Sequence, residues 1–177
     1  MKRLGHYVFF LAFILLSTCA LTACGPRGEP VQPGDTVGVV TVTTGTTADY
    51  PAPGTFNCAK QGDKGDYSCA AAVDQRLNIS IAIYDNNYVL NDDDMFEGLD
   101  LEQKWEEHTY ELFIDNRPVD LAAFGTLDMV HPSYGFMRLW NVVIVASEPG
   151  EVTVRGKGEA DGKLFDITQK ISFGAAK

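Results

Sequence analysis

The chain has 177 residues, 45% of them hydrophobic, and carries a net charge of −10 at pH 7. This length and apolar content are typical of a single domain with its own hydrophobic core. The acidic balance excludes nucleic-acid binding driven by counterion release, which needs a surface rich in Lys and Arg. It also disfavours electrostatic attachment to anionic lipid head groups.

The first 24 residues have the order of a secretory signal. Lys2 and Arg3 form a basic tip, an apolar run covers residues 7–16, and small residues follow. This order predicts export. The apolar run is about half the roughly 20 residues that a membrane-spanning helix needs, so an uncleaved transmembrane anchor is the weaker alternative. Both interpretations place the folded part outside the cytoplasm, because the basic tip stays inside.

The end of this segment, Leu21-Thr22-Ala23-Cys24, resembles the lipobox of bacterial lipoproteins. In that family the cysteine is acylated and becomes the mature N-terminus. The resemblance implies that residues 1–23 are removed and that Cys24 carries lipid such as palmitate. Two or more acyl chains give stable anchoring. Since the loss of Lys2 and Arg3 makes the mature chain still more acidic, the lipid would provide the affinity for the inner or the outer membrane.

Residues 24–54 are rich in Gly, Pro and Thr. This composition buries too little apolar surface to offset the entropy of ordering, which predicts a semi-extended tether. Within it, residues 37–43 are mostly β-branched and favour an edge strand instead. The sequence leaves both interpretations of residues 37–43 open. The folded domain is predicted to cover residues 55–177.

Cys58 and Cys69 are the two cysteines that remain after processing and acylation. An even pair in an exported protein predicts a disulfide. The loop of about ten residues limits its entropic stabilisation to roughly 3 kcal/mol. A redox-active or metal-binding pair is the alternative, but such pairs typically have the spacing CxxC, which Cys58 and Cys69 do not have.

Beyond the cysteines, apolar and polar residues alternate over 77–83, which predicts a half-buried strand. An acidic run follows. Its candidate metal ligands are Asp92, Asp93, Asp94 and Glu97. Calcium, which takes six to eight oxygen ligands, is the candidate cofactor for residues 85–97. A loop that starts at Asp92 does not match the EF-hand pattern. The remaining interpretations are an irregular calcium site and a solvated loop.

One short helix is predicted over residues 100–107, with Asp100 as N-cap and Gln103 completing a capping box. The alternative is a strand that begins near Trp105. Alternation over 110–114 predicts a strand that resumes at 119–121 after a turn.

The C-terminal third predicts a meander of three antiparallel strands. Residues 136–146 are apolar on both faces, which favours a central strand. Glu148-Pro149-Gly150 predicts a turn into the strand with Val152 and Val154. Asp161-Gly162 then predicts a two-residue hairpin turn, because both of its central residues need positive φ.

Several short strands with regularly spaced turns predict an all-β, antiparallel sandwich. The C-terminal half resembles bacterial immunoglobulin-like domains. The likeness lies in residues 113–121, 140–143, 148–154 and Asp161-Gly162. It implies an immunoglobulin-like β-sandwich and no particular activity.

The remaining candidate sites are weaker. Met129, His131 and Met137 offer soft ligands for copper, although core filling explains methionines equally well. Tyr134, beside a Pro-Ser turn, is the candidate exposed aromatic for partner binding. No nucleophile elbow, phosphate loop or zinc pattern is present in the sequence.

The sequence therefore predicts a non-enzymatic, membrane-anchored lipoprotein outside the cytoplasm. It would bind a protein or an envelope component, or act as an accessory module, and would not bind nucleic acid. The alternatives are a calcium-binding module and a copper carrier.

Overall fold

The computed structural model describes residues 28–49, 57–61, 65–84, 99–131, 135–160 and 162–174. The predicted signal segment and Cys24 lie outside the described residues. Within these ranges, no helix is both long enough and apolar enough to cross a membrane.

Thirteen strands and two helices make up the described part of the chain. The strands are β1 (Thr36–Val37), β2 (Val40–Thr43), β3 (Asn57–Gln61), β4 (Asp66–Ala72), β5 (Arg76–Asn78), β6 (Ala82–Tyr84), β7 (Thr109–Ile114), β8 (Arg117–Pro118), β9 (Thr126–His131), β10 (Gly135–Trp140), β11 (Val143–Ala146), β12 (Gly150–Ala160) and β13 (Lys163–Gly174). The helices are α1 (Leu99–Glu107) and α2 (Leu121–Phe124), and a 3-10 turn covers Thr47–Asp49.

The strands form three sheets. A four-stranded sheet has the order β1-β2-β11-β5, a three-stranded sheet β6-β10-β9, and a six-stranded sheet β3-β4-β13-β12-β7-β8. These strands pair antiparallel, except that β4 and β13 run parallel. The prediction of an all-β fold built mainly from antiparallel strands is confirmed.

The four-stranded and six-stranded sheets share one hydrophobic core. Val40, Val42 and Ile144 enter it from the four-stranded sheet, and Leu112 and Ile171 enter it from the six-stranded sheet. All five side chains are almost fully buried. Since each of these side chains leaves water on folding, this shared cluster is the main source of stability.

Residues 31–43, which lie within the predicted tether, belong to the folded domain, and for residues 37–43 the strand is the correct one of the two interpretations left open. Val31 is fully buried, and its N–H donates to the Pro118 carbonyl over 2.8 Å. Residues 40–43 form β2, which pairs on one side with β1 and on the other with β11. Val37 therefore lies in the edge strand β1, as predicted, whereas residues 40–43 form an interior strand, because the buried side chains of Val40 and Val42 contribute to the core.

Cys58 and Cys69 form the predicted disulfide. They are direct partners in the β3–β4 hairpin, with their Cα atoms 4.1 Å apart. Cys69 is buried in the shared core. The bridge therefore fixes the register of the hairpin and holds its inner face against the core.

Two runs that the sequence predicts as continuous strands are each divided between two sheets. Residues 76–78 pair with β11 in the four-stranded sheet, whereas residues 82–84 pair with β10 in the three-stranded sheet. The prediction of one strand over 136–146 is wrong in the same way, because the chain bends at Asn141 and Val142. The alternation predicted over residues 77–83 is nevertheless right, since Leu77, Ile79 and Ile83 are buried.

The C-terminal hairpin is confirmed and the meander is wrong. β12 and β13 pair over their whole length, from Gly150 with Phe173 to Ala160 with Lys163, around a two-residue loop. However, β12 pairs on its other side with β7 and not with β11. The Glu148-Pro149-Gly150 segment therefore carries the chain from one sheet to the other.

The predicted helix over 100–107 is confirmed as α1, which begins at Leu99, so Asp100 lies inside the helix and is not its N-cap. The strand predicted to resume at 119–121 ends early. Leu121 begins α2, a second short helix that the sequence did not predict. Phe124 anchors α2 in the shared core, and Gly125, with φ of +69°, ends it.

Candidate functional site

The outward surface of the six-stranded sheet, called the outer face below, is the best-organised polar surface of the described residues. Alternate residues of β7, β12, β13 and β4 point away from the core, because successive side chains of a strand point to opposite sides. One row crosses four strands through direct partners. It consists of Phe113, Arg155, Thr168 and Asp66.

Two ion pairs lie beside this row. Arg155 donates two hydrogen bonds to the Asp166 carboxylate, over 2.8 and 2.6 Å. This contact lowers the pKa of Asp166 and raises that of Arg155. Lys157 lies 3.0 Å from the Glu111 carboxylate and 5.2 Å from the centre of the Phe113 ring. Arg155 and Lys157 are thus each neutralised by an acid of a neighbouring strand.

A groove runs along the outer face in two lobes of about 420 Å³ each. The first lobe lies around Phe113 and Arg155, and the second lies around Lys157 and ends at Leu164. Asp166 lines both lobes. From the level of Thr153 to that of Leu164, the register gives a length of about 20 Å at 3.4 Å per residue. This shape suits an extended ligand.

Three polar side chains in the first lobe keep free hydrogen-bonding capacity. In the described part of the chain, the side chains of Asp66, Asn116 and Thr168 take no hydrogen-bond or ion-pair partner. Asn116 occupies the β7–β8 turn, where it and Asp115 both adopt positive φ. A carboxylate, an amide and a hydroxyl together can accept and donate several hydrogen bonds to a ligand.

A second polar cluster joins α1 to the three-stranded sheet. Arg138 donates to Asp128 from Nε and Nη2, over 2.7 and 2.9 Å, and to Glu102 of α1 over 2.7 Å. Its guanidinium carbon lies 5.7 Å from the Trp105 ring centre, and Trp105 packs 5.0 Å from Trp140. These acidic partners raise the pKa of Arg138. Because Arg138 is already paired twice and only 18% exposed, the cluster is better suited to attaching α1 than to binding a ligand.

Tyr110 lines a small cavity between the six-stranded sheet and the segment that links β5 to β6. The cavity, of about 140 Å³, is also lined by Ser80, Gly156 and Gln169. Burial raises the pKa of the Tyr110 hydroxyl, and the nearby backbone of Ile81 opposes this effect only partly. The contact with Ile81 does not reach the geometry of a full hydrogen bond. A side chain at Gly156 would lie 3.0 Å from the Tyr110 ring, so this glycine makes room for it.

The predicted calcium ligands Asp92, Asp93, Asp94 and Glu97 lie outside the described residues, as do Tyr134 and the lipidation site Cys24. Among the residues that the structure describes, no three His, Cys, Asp or Glu side chains are arranged to hold a metal ion.

The soft-ligand candidates lie together on the three-stranded sheet. Met129 and Met137 are direct partners on β9 and β10, and His131 pairs with Gly135 at the end of β9. Met137 is fully buried. The structure thus brings the two thioethers to one level of the sheet, in a position that also fits core filling.

His108 follows α1, and its Nδ1 contacts the Trp105 carbonyl oxygen while its ring lies 4.4 Å from that of Trp105. These contacts orient the ring against the helix. They give His108 a structural role at the C-terminal end of α1, where such side chains bind free carbonyls.

The outer-face site was not predicted from the sequence. The only signal for it was the polar half of β13, with Asp166 and Thr168 on the side opposite Phe165 and Ile167. The partners on β4 and β7 could not be identified from this pattern, because their register depends on long-range pairing.

Comparison with known proteins gives no assignment: no family model matches the chain, and no curated protein or solved structure matches it either.

Proposed function

We propose that this chain is a lipid-anchored, extracytoplasmic binding or accessory module of the bacterial cell envelope, with no enzymatic activity of its own. The signal-like segment and the lipobox resemblance at Leu21-Thr22-Ala23-Cys24 support the location. The Cys58–Cys69 disulfide is consistent with an oxidising compartment.

The proposed architecture is an immunoglobulin-like β-sandwich. The shared core of the four-stranded and six-stranded sheets supports a two-layer arrangement. The hairpin β12–β13 and the short β7–β8 turn fit the sequence resemblance. The parallel pairing of β4 with β13 is a departure from a purely antiparallel sandwich. Such sandwiches present ligand-binding surfaces on a rigid scaffold.

The outer face is the observation on which the binding function rests. Its side chains are arranged in rows, four of its charged side chains form two ion pairs, and its groove is open to solvent, with Arg155 and Asp166 each about half exposed. The ion-paired side chains of this face can contact a ligand at little entropic cost, because each is already held by its partner.

The anchor is tested by mass spectrometry of the protein from the membrane fraction. We expect a mature N-terminus at Cys24 with attached acyl chains, and we expect Cys24→Ala to release the protein from the membrane. An unmodified cysteine, or an N-terminus upstream of it, would refute lipidation.

The binding function is tested by crosslinking in intact cells. Single photo-crosslinking residues replace Lys170 on the outer face or, as the control, Thr126 on β9; both positions are exposed. We expect specific adducts from position 170 and none from position 126. Equal or absent adducts at both positions would argue against the outer face as the contact surface.

A further inference from the structure

The outer face carries an excess of negative charge. Its outward positions on β4, β7, β12 and β13 hold five acidic residues and three basic ones. The acidic residues are Asp66, Glu111, Glu151, Glu159 and Asp166, and the basic residues are Arg155, Lys157 and Lys170. Since the whole chain also carries −10, this face repels a polyanion or a second copy of the chain and attracts a cationic ligand.

Two ion pairs occupy the middle of the groove. Arg155 is engaged by Asp166, and Lys157 by Glu111. The Lys157 ammonium also lies 5.2 Å from the centre of the Phe113 ring. The middle of the groove therefore presents charges that already have partners and an aromatic ring that already has a cation over it.

Two free carboxylates lie towards opposite ends of the groove. In the described part of the chain, the side chains of Asp66 and Glu159 take no hydrogen-bond or ion-pair partner. Asp66 lines the first lobe, and Glu159 is the direct partner of Leu164, which ends the second lobe. Asp66 is level with Arg155 two strands away, and Glu159 lies four residues further along β12. Their Cα atoms are therefore about 17 Å apart, at 3.4 Å per residue and 4.8 Å per strand.

This separation specifies the spacing of the cations on a ligand. Residues of an extended chain that point to the same side are an even number of positions apart, and four or six positions span about 14 or 20 Å. Two Lys or Arg side chains at such a spacing can each reach one carboxylate, because these side chains are long and flexible. A charge-assisted hydrogen bond to each free carboxylate would then hold the segment along the groove.

The remaining lining of the groove favours a polypeptide over a linear polyamine. Leu164, 84% exposed, lies with Phe165 and Gly158 in the second lobe and offers an apolar surface to an aliphatic side chain. In the first lobe, the free side chains of Asn116 and Thr168 can donate and accept hydrogen bonds, as peptide groups require. A linear polyamine has no side chains with which to fill two lobes of about 420 Å³ each.

We infer that the outer-face groove binds an extended, basic segment of a partner protein, with one Lys or Arg at Asp66, a second at Glu159 and an aliphatic side chain against Leu164. This inference rests on the proposed binding function and names the chemistry of the partner.

The test measures the binding of fluorescent peptides to the full-length lipidated protein in micelles of a neutral detergent. The dibasic probe has two Lys residues about four positions apart, Leu midway between them and Thr elsewhere, so that all three side chains point to one side. Two comparison peptides carry Gln or Glu in place of both Lys residues, and spermine is the polyamine probe. We expect the dibasic probe to bind with Kd between about 1 μM and 1 mM, and the others at least about tenfold more weakly. Raising the ionic strength from about 0.05 M to about 0.5 M should weaken its binding.

The groove variants remove the free charges while keeping the size of the side chains. Asp66→Asn and Glu159→Gln should each weaken binding of the dibasic probe, and the double variant should weaken it by at least about tenfold. The matched control is the double variant of Glu106→Gln and Glu148→Gln, which removes the same charge at exposed positions outside the outer face. It should change Kd less than about twofold. Thermal melting shows that each variant is folded.

An equal effect of the two double variants would overturn the assignment of the site, because only the net charge of the chain would then matter. Equal or tighter binding of the neutral peptide, the acidic peptide or spermine would overturn the ligand class. If no probe binds while position 170 still gives protein adducts in cells, the inference of a basic segment fails and the proposed binding function stands. If both experiments are negative, both proposals fail.

Discussion

The β12–β13 hairpin stays in one sheet over its whole length, whereas the neighbouring runs, residues 76–84 and 135–146, bend in the middle and divide between two sheets. The hairpin is held by an uninterrupted backbone ladder. Where residues 76–84 and 135–146 bend, side-chain hydrogen bonds take the place of some of the backbone hydrogen bonds between strands. The two regions therefore differ in how continuous their backbone pairing is.

The side chains at the bend have specific partners. The Ser80 hydroxyl donates to the Trp140 carbonyl, and the Ser80 N–H donates to Asn78 Oδ1 over 3.0 Å. Asn141 accepts from the Gly45 N–H and donates to the Gly45 carbonyl, over 3.0 and 2.9 Å. Because buried backbone groups need partners, these contacts allow the chain to leave one sheet and enter the next.

The largest expected effect lies in the hairpin, at its closest approach to β7. A side chain at Gly158 would place its Cβ 1.9 Å from the Thr109 carbonyl oxygen, whereas one at Gly174 would meet nothing within 4 Å. We expect Gly158→Ala to lower the free energy of unfolding by about 3 kcal/mol, because the backbone of β7 or β12 must move to make room for the methyl group. Gly174→Ala should change it by less than about 0.5 kcal/mol. Urea denaturation of both variants measures the difference, and equal stabilities would contradict the close packing of β12 on β7.

A smaller effect is expected at the bend. Asn141→Ala leaves the half-buried peptide groups of Gly45 without their partners, and should cost about 2 kcal/mol of the free energy of unfolding. The control is Asn116→Gly, which removes a side chain that has no partner among the described residues. Hydrogen exchange should also rise at the Gly45 amide in the Asn141 variant. A loss of less than about 0.5 kcal/mol would show that the bend does not depend on this side chain.

The smallest effect concerns the acid stability of the segment next to the bend. Asp49 accepts hydrogen bonds from Arg76 of β5 and from the Thr46 N–H. The Arg76 contact holds the pKa of Asp49 below its usual value of 3.8. This stabilisation is therefore complete above the unfolded pKa and is lost as the pH falls through the folded one.

Asp49→Asn should lower the free energy of unfolding by about 1 kcal/mol at pH 7, since Arg76 is 43% exposed and the pair is partly screened. The deficit should shrink towards zero as the pH falls below 3.8. Denaturation series between pH 2 and pH 7 follow this change, with the exposed Glu148→Gln as the control. A deficit independent of pH would mean that the carboxylate charge is not responsible.

Local sequence signals predicted the elements that depend on local chemistry. Asp161-Gly162 predicted the hairpin because a two-residue loop needs residues that tolerate positive φ, and Gly162 has φ of +69°. The Cys58–Cys69 disulfide was predicted from the even number of cysteines that remain after processing and acylation, and from the predicted export of the protein. The burial of Val152 and Val154 followed from alternation. None of these predictions needed knowledge of a distant partner.

The candidate site was largely beyond sequence analysis. The alternation of Asp166 and Thr168 with Phe165 and Ile167 in β13 is the local signal for its polar side. That Phe113 and Asp66 lie in the same row depends on the β7–β12 register and on the parallel β4–β13 pairing. A change of register by one residue would turn either side chain to the opposite face, and residue types alone do not fix such a register between distant segments.

The sequence by itself determined the alternation of buried and exposed residues within strands, the β12–β13 turn and the cysteine pair, because side-chain polarity, backbone φ preferences and redox chemistry act locally. Only the tertiary structure decided which strands are neighbours. It placed β2 inside a sheet, divided residues 76–84 and 135–146 between two sheets, and brought four strands together into the outer face. The physical reason is that strand pairing satisfies backbone groups, which are the same in every residue except proline, so the choice of partner depends on how the whole core packs.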